Sequence, residues 1–90
     1  MKTKYIVKTP RNLNKIMRDM PVNARERLIK LVDDIRDSGP VQAMYPNYNK
    51  LSRNTYHCHL AYRWVACWRC EAGACIVEVY YVGSREKAPY

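Results

Sequence analysis

Four side chains of this sequence are suited to chemistry together: His57 and His59, one residue apart, then Arg85 and Tyr90. The reaction they suit is cleavage of RNA without a metal. A base removes the 2′-OH proton, the oxygen attacks the adjacent phosphorus, cations hold the crowded centre, and an acid protonates the departing 5′ oxygen. Histidine serves both proton transfers because its unperturbed pKa, about 6.5, lies near working pH. Arginine stays charged, and its planar fork bonds two phosphate oxygens. Tyrosine can stack on a base or orient the attacking group. Two surface histidines with no catalytic task would show the same spacing.

A second constellation is metal-like. His57-Cys58-His59, Cys67-x-x-Cys70 and Cys75 contain enough ligands for zinc. Side chains alternate along a strand, however. If residues 64–70 form one strand, Cys67 and Cys70 face opposite ways, and Cys58 opposes both histidines. The cysteines therefore read as small apolar core residues, and no metal site and no cofactor is expected.

The elements that must position these groups follow from pattern. Thr55–Leu60, Trp64–Cys70 and Cys75–Tyr81 are β-prone runs separated by turns at Ala61-Tyr62-Arg63 and Glu71-Ala72-Gly73, hence three antiparallel strands. On the first, His57 and His59 share one face, and the more apolar Tyr56, Cys58 and Leu60 share the other. On the last, Cys75, Val77, Val79 and Tyr81 form one face, with Ile76, Glu78 and Tyr80 opposite. The middle strand is apolar on both faces, so its orientation is open. Upstream, Lys4–Lys8 reads as a short strand. Thr9-Pro10 starts a helix carrying Leu13, Ile16, Met17 and Met20 on one face, ended by Pro21. A second helix should start near Asn23, with Glu26 completing a capping box. It would carry Leu28, Leu31, Val32 and Ile35, and stop at Ser38-Gly39-Pro40. The expected class is α+β with order β-α-α-β-β-β: an antiparallel helix pair on one face of a small, mainly antiparallel four-stranded sheet, a single domain spanning residues 1–90.

The charge points to an acidic partner. The chain has 90 residues, a net charge of +8 and a pI near 9.5, which suits nucleic acid or an acidic protein segment, although a merely solvated surface could carry it. The loop from Pro40 to Asn54 interleaves Tyr45 and Tyr48 with Lys50 and Arg53. Such a mixture suits single-stranded RNA, since bases stack on rings while cations track phosphates; equally, the tyrosines could pin the loop to the core. Arg25, Arg27, Lys30 and Arg36 lie off the apolar helix face and read mainly as a charge-paired surface. No stretch approaches the roughly 20 apolar residues of a membrane span, and Met1-Lys-Thr-Lys lacks the apolar run of a signal peptide. The expectation is a cytoplasmic protein with reduced thiols.

The order of elements, Leu28–Ile35, Asn47-Tyr-Asn-Lys-Leu51, Tyr56-His-Cys-His-Leu60, Val65-Ala-Cys-Trp68 and the V-G-x-R…Y pattern of Val82, Gly83, Arg85 and Tyr90 resemble the RelE/ParE superfamily of bacterial toxin–antitoxin systems, in particular RelE-like translational repressors. The likeness covers nearly the whole chain. It implies a small basic ribonuclease that cuts mRNA in the ribosomal A site by 2′-OH attack without a metal, and that is silenced by a cognate antitoxin. The partners implied are mRNA, the ribosome with its rRNA, and that antitoxin, with no membrane and no small-molecule cofactor. Arg85 matches the arginine expected on the scissile phosphate, and Tyr90 the closing tyrosine, with a spacing one residue shorter than in typical RelE. His57 and His59 fall where RelE has lysines. Lys50, Arg53, Arg63 and Lys87 are the expected RNA or rRNA contacts. RelE has a further arginine at the start of the middle strand, where this chain offers Val65, or Arg63 in the preceding turn. Two other readings stand beside it: a ParE-like, non-catalytic inhibitor of gyrase, and a small zinc- or RNA-binding module.

Overall fold

The computed structural model describes residues 5–71 and 73–90. Met1-Lys-Thr-Lys and Ala72 lie outside the described residues, and with them the expectations for Lys4 in the first strand and Ala72 in the last turn.

The elements run β1 (Ile6–Lys8), α1 (Leu13–Arg18), α2 (Val22–Ser38), β2 (Asn49–Lys50), β3 (Thr55–Ala61), β4 (Trp64–Cys70), β5 (Ile76–Ser84) and a 3-10 turn, Arg85–Lys87. They form one sheet in the order β1-β5-β4-β3-β2, with β1 parallel to β5 and the other pairs antiparallel. The expected β-α-α-β-β-β frame is present. A fifth strand, the two-residue β2, is added at the edge, where Asn49 pairs with His57 and Lys50 with Tyr56.

Both helix starts differ from expectation. Thr9-Pro10 does not open α1. The Leu13 N–H bonds to the Pro10 carbonyl at 3.1 Å in a tight turn, and helix proper begins at Leu13 after Asn12, which makes no side-chain cap. Nor do Asn23 and Glu26 form a capping box. Pro21 occupies the cap position with extended ψ of 154°, so Asn23 already lies inside the helix, where its Oδ1 accepts from the Ala24 N–H at 2.9 Å. Proline presets φ before a helix, and the helix starts two residues earlier as a result. The stop matches expectation. Gly39 takes φ 94° and bonds back to the Ile35 carbonyl at 2.7 Å. A Cβ there would come within 2.7 Å of the Tyr5 ring, so position 39 requires glycine for both reasons.

The core lies between helices and sheet. Ala24, Leu28, Leu31 and Ile35 of α2 are buried against Tyr56, Cys58 and Leu60 of β3, Ala66, Trp68 and Cys70 of β4, and Val77, Val79 and Val82 of β5. The orientation of β4, open from its pattern, is decided by Trp68. Its ring is fully buried, stacks on Tyr56 at 6.1 Å between centroids, and donates from Nε1 to the Pro40 carbonyl at 2.8 Å. Burying the indole while satisfying its only donor favours that face. Tyr48 packs on the same pair, and the Tyr45 hydroxyl donates to Asp34 at 2.5 Å. Burial, then the bond to Asp34, raises the Tyr45 pKa, and bonds from Lys30 and then Tyr45 lower that of Asp34. Of the two readings of the loop tyrosines, the structure supports anchorage to the core.

Alternation along β5 breaks. Cys67 pairs with Tyr81 but Trp68 with Val79, so Tyr80 is an extra residue, a β-bulge. Val77, Val79 and Val82 face the helices, and Tyr81 does not share their face as strict alternation predicts. Its hydroxyl instead donates to the Ser84 carbonyl at 2.7 Å, its ring lying close to the bare Cα of Gly83.

Candidate active site on the open face of the sheet

The face of the sheet away from the helices carries the chemistry. The pairing His57–Cys67–Tyr81 runs straight across β3, β4 and β5, and His59 pairs with Val65, which pairs with Gly83. Val65 and Cys67 are fully buried yet belong to no part of the helix-side cluster. The chain beyond β5 folds back over this face. The 3-10 turn Arg85–Lys87 is capped by Ser84, whose Oγ accepts from the Lys87 N–H at 3.3 Å. Tyr90 reaches His57, with 4.4 Å between ring centroids and 53° between planes.

The two histidines stand edge to face, 6.0 Å apart. His57 is buried, 7% exposed, and its Nδ1 has no hydrogen-bond partner. His59 is half-buried. Its backbone N–H donates to the Pro46 carbonyl at 2.8 Å, and its Nδ1 lies 3.2 Å from the Asn47 amide nitrogen. Burial, then the neighbouring His57, then the positive charge of Arg85 lower the His59 pKa, in that order. Burial most of all raises the Tyr90 pKa, with Arg85 acting in the opposite sense. Burial also pushes the Cys67 thiol up to about 11, with a bond to Tyr80 opposing it.

Arg85 is held by the β3–β4 hairpin. Its N–H donates to the Arg63 carbonyl at 2.8 Å, and its guanidinium lies over the Tyr62 ring, 5.3 Å from the centroid. Tyr62, Arg63, Ser84, Arg85 and Glu86 line a cavity of about 350 Å³. His57, His59 and Tyr90, separated in sequence, are brought into ring contact, and Arg85 joins them through Tyr62, which lines both its cavity and that of His59. Arg63 borders the Arg85 cavity, and Lys87 follows in the 3-10 turn. Lys50 and Arg53 are not brought in. Lys50 pairs with Tyr56, lies over its ring at 5.6 Å, and lines with Arg53 a separate groove at the sheet edge. Val65 is buried in β4 between His59 and Gly83.

Sequence pattern gave Asn47 no role at the site and read Arg27 mainly as charge-paired surface. Both line a cavity of about 300 Å³ with Pro46, His59, Ala61 and Tyr62. No periodicity announces a contact between a loop amide, a helix arginine and a strand histidine. The cysteines divide as alternation predicts: Cys58 and Cys70 face the helices, Cys67 the open side. Among the described residues, no three metal-ligating side chains of His, Cys, Asp or Glu cluster.

A search of solved structures finds this arrangement elsewhere. The chain superposes on the archaeal RelE–RelB complex from Pyrococcus horikoshii OT3 with TM-score 0.70 and 12% identity, covering 94% of this chain and 99% of that one. It superposes on a mutant of the E. coli toxin RelE in the free state with TM-score 0.65 and 19% identity, covering 92% and 85%. No sequence-family profile and no curated protein sequence matches the chain. The chain has the RelE-like toxin fold, α+β with two helices on a mixed five-stranded sheet.

Proposed function

We propose that this protein is the toxin of a type II toxin–antitoxin system and a ribosome-dependent endoribonuclease that cuts mRNA in the A site. The observation that supports the reading is the grouping on one face: His59 6.0 Å from His57, Tyr90 at 4.4 Å on the His57 ring, and Arg85 over Tyr62, which also lines the cavity of His59. In the reaction, a base takes the 2′-OH proton, the O2′–P bond forms and the P–O5′ bond breaks. A proton goes to O5′, giving a 2′,3′-cyclic phosphate and a 5′-hydroxyl. His57 and His59 are the proton-transfer candidates. Arg85 neutralises the charge that grows on the phosphoryl oxygens. Tyr90 stacks on or orients a nucleotide. Arg63 and Lys87, beside Arg85, would meet the RNA backbone, and Lys50 and Arg53 would meet RNA farther along the edge. The buried Val65 supplies no cation, so Arg85 and Arg63 carry that task.

A cytoplasmic setting and a small antitoxin partner complete the proposal. The matched archaeal RelE is itself held in a complex with RelB, and no described helix is long and apolar enough to cross a membrane. The test is induced expression in bacteria of wild type and Arg85→Ala, with primer extension on cellular mRNA. Wild type should arrest translation and cut ribosome-bound mRNA between codon positions, and the variant should not. Equal toxicity with intact mRNA would reject the reading, and DNA breaks with an SOS response would point to gyrase.

A further inference from the structure

We propose that Asn47 is the positioning residue of this site, holding neutral His59 as the tautomer with its proton on Nε2, so that His59 faces the cleft as a hydrogen-bond donor and not as a base. Three observations meet here. The Asn47 Nδ2 sits 3.2 Å from His59 Nδ1. With the amide placed this way its NH2 can only donate, which calls for Nδ1 as acceptor and the ring proton on Nε2. The backbone beside it is clamped to the same strand position, since the Pro46 carbonyl accepts the His59 N–H at 2.8 Å. And Asn47 is the one non-glycine residue among those described with positive φ, 53°. Asparagine tolerates that conformation better than most residues, yet it retains a cost, and such residues gather at functional sites.

Core contacts of Pro40, Tyr45 and Tyr48 tie the loop down on either side, so Asn47 addresses a fixed nitrogen. The cavity of about 300 Å³ shared by Asn47, His59, Arg27 and Tyr62 gives the contact an approach for a ligand. The inference rests on the ribonuclease reading only for its consequence: His59 Nε2–H bonds an oxygen of the phosphodiester, and the acceptor task falls to His57, which takes the 2′-OH proton and passes it on to O5′ as the P–O5′ bond breaks.

The tautomer itself is measurable without any reaction. In uniformly 15N-labelled full-length protein above pH 7.5, long-range 1H–15N spectra should show His59 Nε2 as the protonated nitrogen and Nδ1 as the bare one. Asn47→Gly keeps the positive φ and removes the amide, and should give a mixture of tautomers with the backbone spectrum otherwise preserved. Asn47→Asp should move the proton to Nδ1, where a carboxylate accepts it. Wild type protonated on Nδ1, or a tautomer unchanged in both variants, would overturn the proposal. If mRNA is cleaved, Asn47→Gly should lower kcat about 10-fold with KM little changed, as losing a ring-orienting partner does elsewhere. His59→Gln, which keeps a donor near Nε2, should retain more activity than His59→Ala; equal loss in both would also overturn it. The expected tautomer in a protein that cuts no mRNA would reject the function while leaving Asn47's role standing.

Discussion

Tyr90 lies against His57 with 4.4 Å between ring centroids, although 33 positions separate them in the sequence. The contact places an aromatic ring beside the cross-strand row of His57, Cys67 and Tyr81. Tyr90 is about half exposed, 53%, and so has a free surface for a nucleobase. Tyr90→Ala should reduce mRNA cleavage by about 10- to 100-fold, because base–aromatic stacking is worth about 1–3 kcal/mol. Tyr90→Phe keeps the ring and should stay within a few-fold of wild type. Cleavage of a defined message on purified ribosomes checks both; equal loss in the two variants would assign the work to the hydroxyl.

Arg85 is exposed, and among the described residues its guanidinium bonds no carboxylate but lies over the Tyr62 ring. Its removal should therefore cost little stability, within about 0.5 kcal/mol, while cleavage falls by about 100- to 1,000-fold, the loss typical of a group that stabilises developing charge. Arg85→Lys should recover part of the rate but not the two-point grip on phosphate. Urea titration beside single-turnover cleavage separates these effects. A variant that loses stability and activity in parallel would show a structural role instead.

The depressed pKa of His59 has a signed consequence for stability. Its folded pKa lies below the ordinary histidine value of about 6.5, so the unfolded chain takes up the proton first as pH falls. The folded state is at full advantage above about pH 7.5, loses it through 6.5, and has lost all of it once pH is below the folded pKa. Tm measured from pH 8 to pH 5 should therefore fall more steeply for wild type than for His59→Gln, which has no proton to bind. Parallel curves would contradict the depression.

Thiol reactivity should sort by burial. Cys58 is pushed up to about 12 and Cys67 to about 11, both chiefly by burial, and at pH 8 about one in a thousand or fewer of such thiols is a thiolate. Cys75 is exposed. An aromatic disulfide reagent should label Cys75 within seconds to minutes and reach Cys58 and Cys67 only on unfolding. Rapid labelling of Cys67 in the native protein would mean that the Tyr90 segment opens readily.

Local pattern alone determined much of this protein. The i, i+3, i+4, i+7 spacing in Leu28–Ile35 set α2, Gly39-Pro40 set its end, and alternation in β3 put His57 and His59 on the face away from Leu60. These are properties of a helix turn and a pleat, decided within a few residues. Other features required the assembled molecule. Trp64–Cys70 is apolar on both faces, and only the space beside Tyr56 and the Pro40 carbonyl chose where Trp68 points. The bulge at Tyr80 reversed Tyr81, because pairing with the neighbouring strand, not period, decides where an extra residue enters. Lys50 went to the helix side since β2 pairs it with Tyr56. The approach of Arg85 and Tyr90 to the histidines, and of Asn47 to His59, depends on how loops cross the sheet. Such contacts join distant positions through packing, and no repeat in the chain encodes them.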